Sequence, residues 1–179
     1  MVHSIITKVQ NSEIDILSLK DIPDDFYEDV DELVNALSSN TSIHTVKFTD
    51  DFLGCAYGKD RCTLLEAVSK LPNLQVVTLA NSLLRATALT TLVKNAKGLK
   101  VLHLKEIVVQ GLDRDIDALE AALYQHAFLK DFSMMDCKSP LEGVDLDRVS
   151  RAGTAPRGSG GNPAVDVGAV SDNSSAIAA

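Results

Sequence analysis

The chain predicts an α/β fold, a solenoid with short parallel strands on its concave face and helices on its convex face. One observation is a strand template of three apolar residues at offsets 0, 3 and 5, met five times. The matches run from Ile14 to Leu19, Ile43 to Phe48, Leu74 to Leu79, Leu99 to Leu104 and Leu129 to Met134, and they begin 29, 31, 25 and 30 residues apart. A second is the set of aliphatic pairs ten and six residues upstream: Leu33 and Leu37, Leu64 and Val68, Leu89 and Val93, Leu119 and Leu123. An i, i+4 pair shares one helix face, so each pair marks the inward stripe of a helix. Strands that recur after helices must be parallel, because each helix carries the chain back to its starting edge.

The elements follow in order. Residues 1–13 hold Ile5, Ile6 and Val9 at helical spacing and read as an N-terminal cap, since a terminal layer would otherwise leave its face in water. The array of about five repeats spans 14–137, with strands of about six residues and helices over 28–39, 62–71, 86–97 and 115–127. Ala36, Ala67 and Ala122 stand seven residues before their strands and allow close packing; Leu92 takes that place in the remaining repeat. Thr63 or Asp60 caps the second helix, and Asp113 or Asp115 the fourth. Leu141, Val144, Leu146 and Val149 make a C-terminal cap over 138–150. The stretch 151–179 is Gly, Ala, Ser, Pro and Asn with scattered apolar residues, and reads as a disordered tail.

Composition narrows the role. The 179 residues carry 45% apolar side chains, no Trp and a formal net charge of −8. Phosphate contacts need Lys and Arg clusters, so a nucleic-acid partner is not expected. No run of 18 apolar residues and no basic head with an apolar run occurs, so neither a membrane span nor a signal peptide is expected. Cys55, Cys62 and Cys137 form an odd, unpaired set, which suits reduced thiols in cytoplasm or nucleus. Cys55 and Cys62 lack the second close pair that zinc would need.

The strand template with its upstream leucines, seen most clearly in Glu32-Leu-Val-Asn-Ala-Leu-Ser-Ser-Asn-Thr-Ser-Ile and Ala67-Val-Ser-Lys-Leu-Pro-Asn-Leu, resembles the ribonuclease-inhibitor class of leucine-rich repeats over about 14–137. The resemblance implies a horseshoe and a role in protein recognition. That class places Asn or Cys eight residues after the first strand leucine, where its side chain ties turns together. Here the position holds Ile22, Asp51, Ser82, Ile107 and Cys137, and only the last conforms. Leu53, Leu84 and Val109 fill the class's next apolar site.

The candidate binding surface is the concave strand face. Between the apolar anchors it presents Lys47, Thr78 and His103, with Lys105 in the next row. Just past the strand ends Asp21, Asp50, Asn81, Glu106 and Asp136 form a nearly acidic ladder able to receive a basic helix or loop. The residues expected to bind are thus Asp21, Lys47, Asp50, Thr78, His103, Lys105, Glu106 and Asp136, and the partner is another protein with a basic surface. A second acidic cluster, 21–32, favours a helix N-terminus by itself. It lacks the alternating oxygens and turn glycine of a calcium loop. His103 lies between Thr78 and Ser133, but no nucleophile elbow or glycine-rich phosphate loop accompanies it. The chain therefore reads as a binding module, not an enzyme, with no cofactor or metal. Two other readings stay open: a regulator of a small GTPase resembling the Ran GTPase-activating proteins, and a scaffold fragment of a longer repeat protein. Exposed edge strands leave the oligomeric state open.

Overall fold

A computed structural model describes residues 2–20, 30–49, 58–141 and 144–155. The elements are α1 (Val2–Gln10), β1 (Ile16–Leu19), α2 (Val30–Ser39), β2 (Thr45–Phe48), α3 (Gly58–Ser69), β3 (Val76–Arg85), α4 (Ala86–Asn95), β4 (Val101–Gln110), α5 (Asp113–Gln125), β5 (Asp131–Met135) and α6 (Asp147–Thr154). The five strands form one parallel sheet in sequence order, β1-β2-β3-β4-β5. Each helix packs on the next, α1 on α2 through to α5 on α6.

The register aligns the repeat template residue for residue. Leu17, Val46, Val77, Leu102 and Phe132 are mutual neighbours across the sheet, as are Leu19, Phe48, Leu79, Leu104 and Met134. These anchors, Met134 alone only partly, are buried against the helix pairs at 33/37, 64/68, 89/93 and 119/123. One continuous apolar layer therefore runs from Ile6 and Val9 of α1 to Val149 of α6.

β3 and β4 differ from expectation, since both continue for ten residues. Asn81 and Glu106 sit inside these strands in the left-handed region, at φ 49 and 54, and Asp136 repeats that conformation after β5. The turn bends each chain without ending the pairing, so Ser82–Arg85 stays hydrogen-bonded alongside Ile107–Gln110. Asn and Asp tolerate this region better than other side chains. The polar row thus has a backbone cause. Ala80, Asn81, Lys105 and Glu106 accordingly belong to strands and not to loops beyond them.

Helix ends shift as well. α3 begins at Gly58, ahead of the expected start. α5 begins at Asp113, and Asp115 accepts the Leu112 N–H at 3.0 Å from within the first turn. At the C-terminal end the cap expected over 138–150 continues through Thr154, so residues 151–154 are helix and not tail. Val149 and Ala152 are buried there, and Gly153 lies directly over the ring of Phe132. Arg148 of α6 reaches Asp117 of α5 at 2.8 Å.

Two buried polar residues tie neighbouring units together. Three residues before each strand's first anchor stand Asn40, Leu71, Ala96 and His126. In the middle two units a backbone carbonyl closes the corner, with Leu74 N–H donating to Leu71 and Leu99 N–H to Ala96. In the outer two a side chain does so: Asn40 Oδ1 accepts the Ile43 N–H at 2.9 Å, and His126 Nδ1 accepts the Leu129 N–H at 3.1 Å. The other end of each side chain reaches the preceding unit. Asn40 Nδ2 donates to the Val9 carbonyl at 2.7 Å, and His126 Nε2 lies 3.0 Å from the Ala96 carbonyl. With Nδ1 accepting, the proton of His126 belongs on Nε2.

Candidate functional site

One face of the sheet leaves Ile16, Ser18, Lys47, Lys105 and Asp131 exposed. Alternation in each strand sends the anchors inward and the intervening residues outward to this face. Its first row is Ile16, Thr45, Val76, Val101 and Asp131; its second is Ser18, Lys47, Thr78, His103 and Ser133. Lys47, Thr78 and His103, three of the residues expected to bind, are consecutive neighbours in that second row. Lys105 follows between Ala80 and Met135.

Hydrogen bonds order the side chains of this face. His103 Nε2 lies 2.9 Å from Asp131 Oδ2, a diagonal contact to the next strand. His44 Nε2 lies 3.4 Å from Asp15 Oδ2, while its Nδ1 meets Thr45 Oγ1 at 2.9 Å. Lys100 Nζ donates to Gln75 Oε1 at 2.8 Å. Composition singles out His103 without showing its carboxylate. The diagonal offset on one face was the available signal for Asp131, because cross-strand residues two positions apart remain within reach of long side chains.

The acidic edge is only partly within view. Asp21 and Asp50 lie outside the described residues. Glu106 and Asp136 are exposed, and the Lys105 ammonium stands 3.3 Å from the Glu106 carboxylate. The edge is thus tempered by a cation. On the strand rows Lys47 and Lys105 stand against Asp131, and Glu106 and Asp136 follow in the left-handed row, although the whole chain is acidic.

Cys137, which matches the class's Asn or Cys position, is half-buried. Its Sγ lies 3.7 Å from the Leu104 carbonyl of the preceding strand and 3.5 Å from that of Met135. Burial pushes its thiol pKa above the ordinary range, against the lowering effect of backbone hydrogen bonds. At the two equivalent described positions Ile107 is core and the Ser82 hydroxyl donates to the Ala80 carbonyl, and the buried polar ties between units sit at Asn40 and His126. Cys62 is half-buried in α3; Cys55 lies outside the described residues. Among the described residues no group of three or more His, Cys, Asp or Glu could hold a metal ion. None of their helices is long and apolar enough to cross a membrane.

No family model and no curated protein matches the chain. Among solved structures it is similar to the tropomodulin C-terminal domain of Caenorhabditis elegans, at 13% identity and a TM-score of 0.57, over 85% of this chain and 90% of that one. It is also similar to the Chaetomium Mex67:Mtr2 subunits, at 16% identity and a TM-score of 0.46, over 84% and 96%. The first likeness is one of fold. Together with the five-stranded parallel sheet and its helices, it fits a leucine-rich-repeat-like α/β fold.

Proposed function

We propose that the chain is a leucine-rich-repeat module, curved as a solenoid, that binds another protein through its concave strand face and acidic edge in the cytoplasm or nucleus. The observation that carries this reading is the unbroken second row, Ser18 through Ser133, in which every strand contributes one outward polar side chain at matched height. Such a row offers donors and acceptors at strand spacing to a single docked surface. The charge gradient gives it direction. A partner seats a basic helix or loop at Asp21, Asp50, Glu106 and Asp136, and places carboxylates over Lys47 and Lys105.

Binding, not catalysis, suits a face this open, because solvent screens any group that would have to polarise a reacting bond. The His103–Asp131 pair then orients a contact residue. Affinity capture from native lysate tests the reading. Wild-type chain retains a partner, and the variant with Asp21, Asp50, Glu106 and Asp136 all changed to Lys loses it. An identical set of captured proteins for both would sink the proposal.

A further inference from the structure

A second surface, on the helix side, stands out once the repeats are compared position by position. One residue before the first strand anchor stand Ser42, Asn73, Gly98 and Phe128. The first three serve the fold. Ser42 Oγ donates to the Ile14 carbonyl, Asn73 Nδ2 to the Thr41 carbonyl at 2.7 Å, and a Cβ on Gly98 would stand 3.2 Å from the Leu74 carbonyl. Phe128 has no side-chain hydrogen bond to offer and leaves 59% of its surface in water. One turn earlier Tyr124 occupies the position of Ser38, Ser69 and Lys94 and is 58% exposed. Packing explains neither aromatic.

Between the C-terminal ends of α4 and α5 lies a groove of about 300 Å³, rimmed by Lys94, Lys97, Gln125 and Phe128 over a floor that includes Ala122 and His126. His126 is only 8% exposed and its ring is held at both nitrogens, so the floor is rigid. Neither Lys94 nor Lys97 has a carboxylate partner among the described residues. Two ammonium groups without a carboxylate partner among the described residues, beside exposed Phe128 on a chain of net charge −8, are a local inversion of charge. An exposed aromatic can anchor a partner's apolar side chain, and the flanking lysines select a partner of opposite charge.

We infer that this groove is a second docking site, separate from the strand face, for an acidic segment of a partner protein that carries an aliphatic anchor. The anchor lies against Phe128 and Ala122, and flanking carboxylates meet Lys94 and Lys97. A single-stranded nucleic acid would also supply anions and stacking faces. The acidic chain as a whole disfavours it, because phosphate tracts need a wider cationic surface than two lysines.

The test is fluorescence anisotropy of the full chain with a labelled short peptide of alternating Asp and Leu. Saturable binding is expected, weakened by added salt and at least about 10-fold weaker for Phe128→Ser, a loss equivalent to about 1.4 kcal/mol. Lys94→Glu combined with Lys97→Glu should weaken it as much, which keeps the test decisive if Phe128→Ser alters folding by circular dichroism. Lys8→Glu, exposed in the last turn of α1 and far from both surfaces, should leave peptide binding unchanged. Several results would overturn the inference: no saturation, equal binding of a Lys–Leu peptide, tighter binding of a single-stranded oligonucleotide, or loss of binding in Lys8→Glu alone.

Discussion

Helix propensity and packing make opposite forecasts for Gly153, and the structure decides between them. Gly153 is the next-to-last residue of α6, where alanine in place of glycine gains helix propensity of at most about 1 kcal/mol. A Cβ built at that position would stand 2.0 Å from Cδ1 of Phe132, 2.4 Å from Cγ and 2.5 Å from Cε1. Ordinary carbon contacts begin near 3.5 Å, so the ring or the helix must move by more than an ångström. Phe132 cannot swing away cheaply, because it is a buried anchor of β5. Overpacking of this kind costs about 1–3 kcal/mol. If α6 lifts instead, Val149 and Ala152 lose burial, at about 1.5–3 kcal/mol for the valine alone. The propensity gain offsets part of either cost. Gly153→Ala should therefore destabilise by about 1–2 kcal/mol, and Gly153→Val by more. Urea denaturation reads this as a lower midpoint with an unchanged slope, and thermal melting as a drop of about 2–8 °C for a chain of this size. A melting point equal to wild type, or raised, would show that α6 is not docked on Phe132 and that the array ends at β5.

Four further outcomes can be measured. Val77 is fully buried at the middle of the sheet, so Val77→Asp should abolish the cooperative melt, a loss above about 4 kcal/mol. Asn40→Ala leaves the Ile43 N–H without its partner and the Val9 carbonyl with the Ser12 N–H alone; a loss of about 1–3 kcal/mol is expected, with hydrogen exchange rising first across α1. Glu106→Gly relieves a left-handed non-glycine residue and should raise stability by about 0.5–1 kcal/mol in the same melt, at the expense of one carboxylate on the acidic edge. Cys137 holds its proton to higher pH folded than unfolded, so the unfolded chain releases it first. Its contribution to stability is intact below the unfolded thiol pKa and is lost as pH rises beyond it, and Cys137→Ala should flatten that alkaline decline in urea midpoints.

Sequence period alone was enough to order the sheet. The offsets 0, 3 and 5 recur because a parallel strand must turn the same faces inward in every unit, and the helix pairs recur because each helix covers the same strand pair. Thr78, His103 and Ser133 could therefore be aligned without coordinates. Strand length could not. Asn81 and Glu106 look like the end of a strand, since left-handed residues and loop residues share the same polar composition, and only pairing of Ser82–Arg85 with Ile107–Gln110 shows that the ladder continues. The position eight residues after the anchor gives a polar tie between units at Cys137 alone among the described residues, whereas the buried polar ties lie three residues before the anchor, at Asn40 and His126. A single Asn or His at a corner carries no period for a pattern to detect.

The partition has a physical root. Burial of apolar residues is a property of spacing, and spacing is written along the chain, so layers and register are legible from residue order. Which polar groups meet depends on distances of about 3 Å across units some thirty residues apart. The His103–Asp131 pair, the closure of α6 over Phe132 and the lysine-flanked groove beside Phe128 were therefore decided by folding in three dimensions.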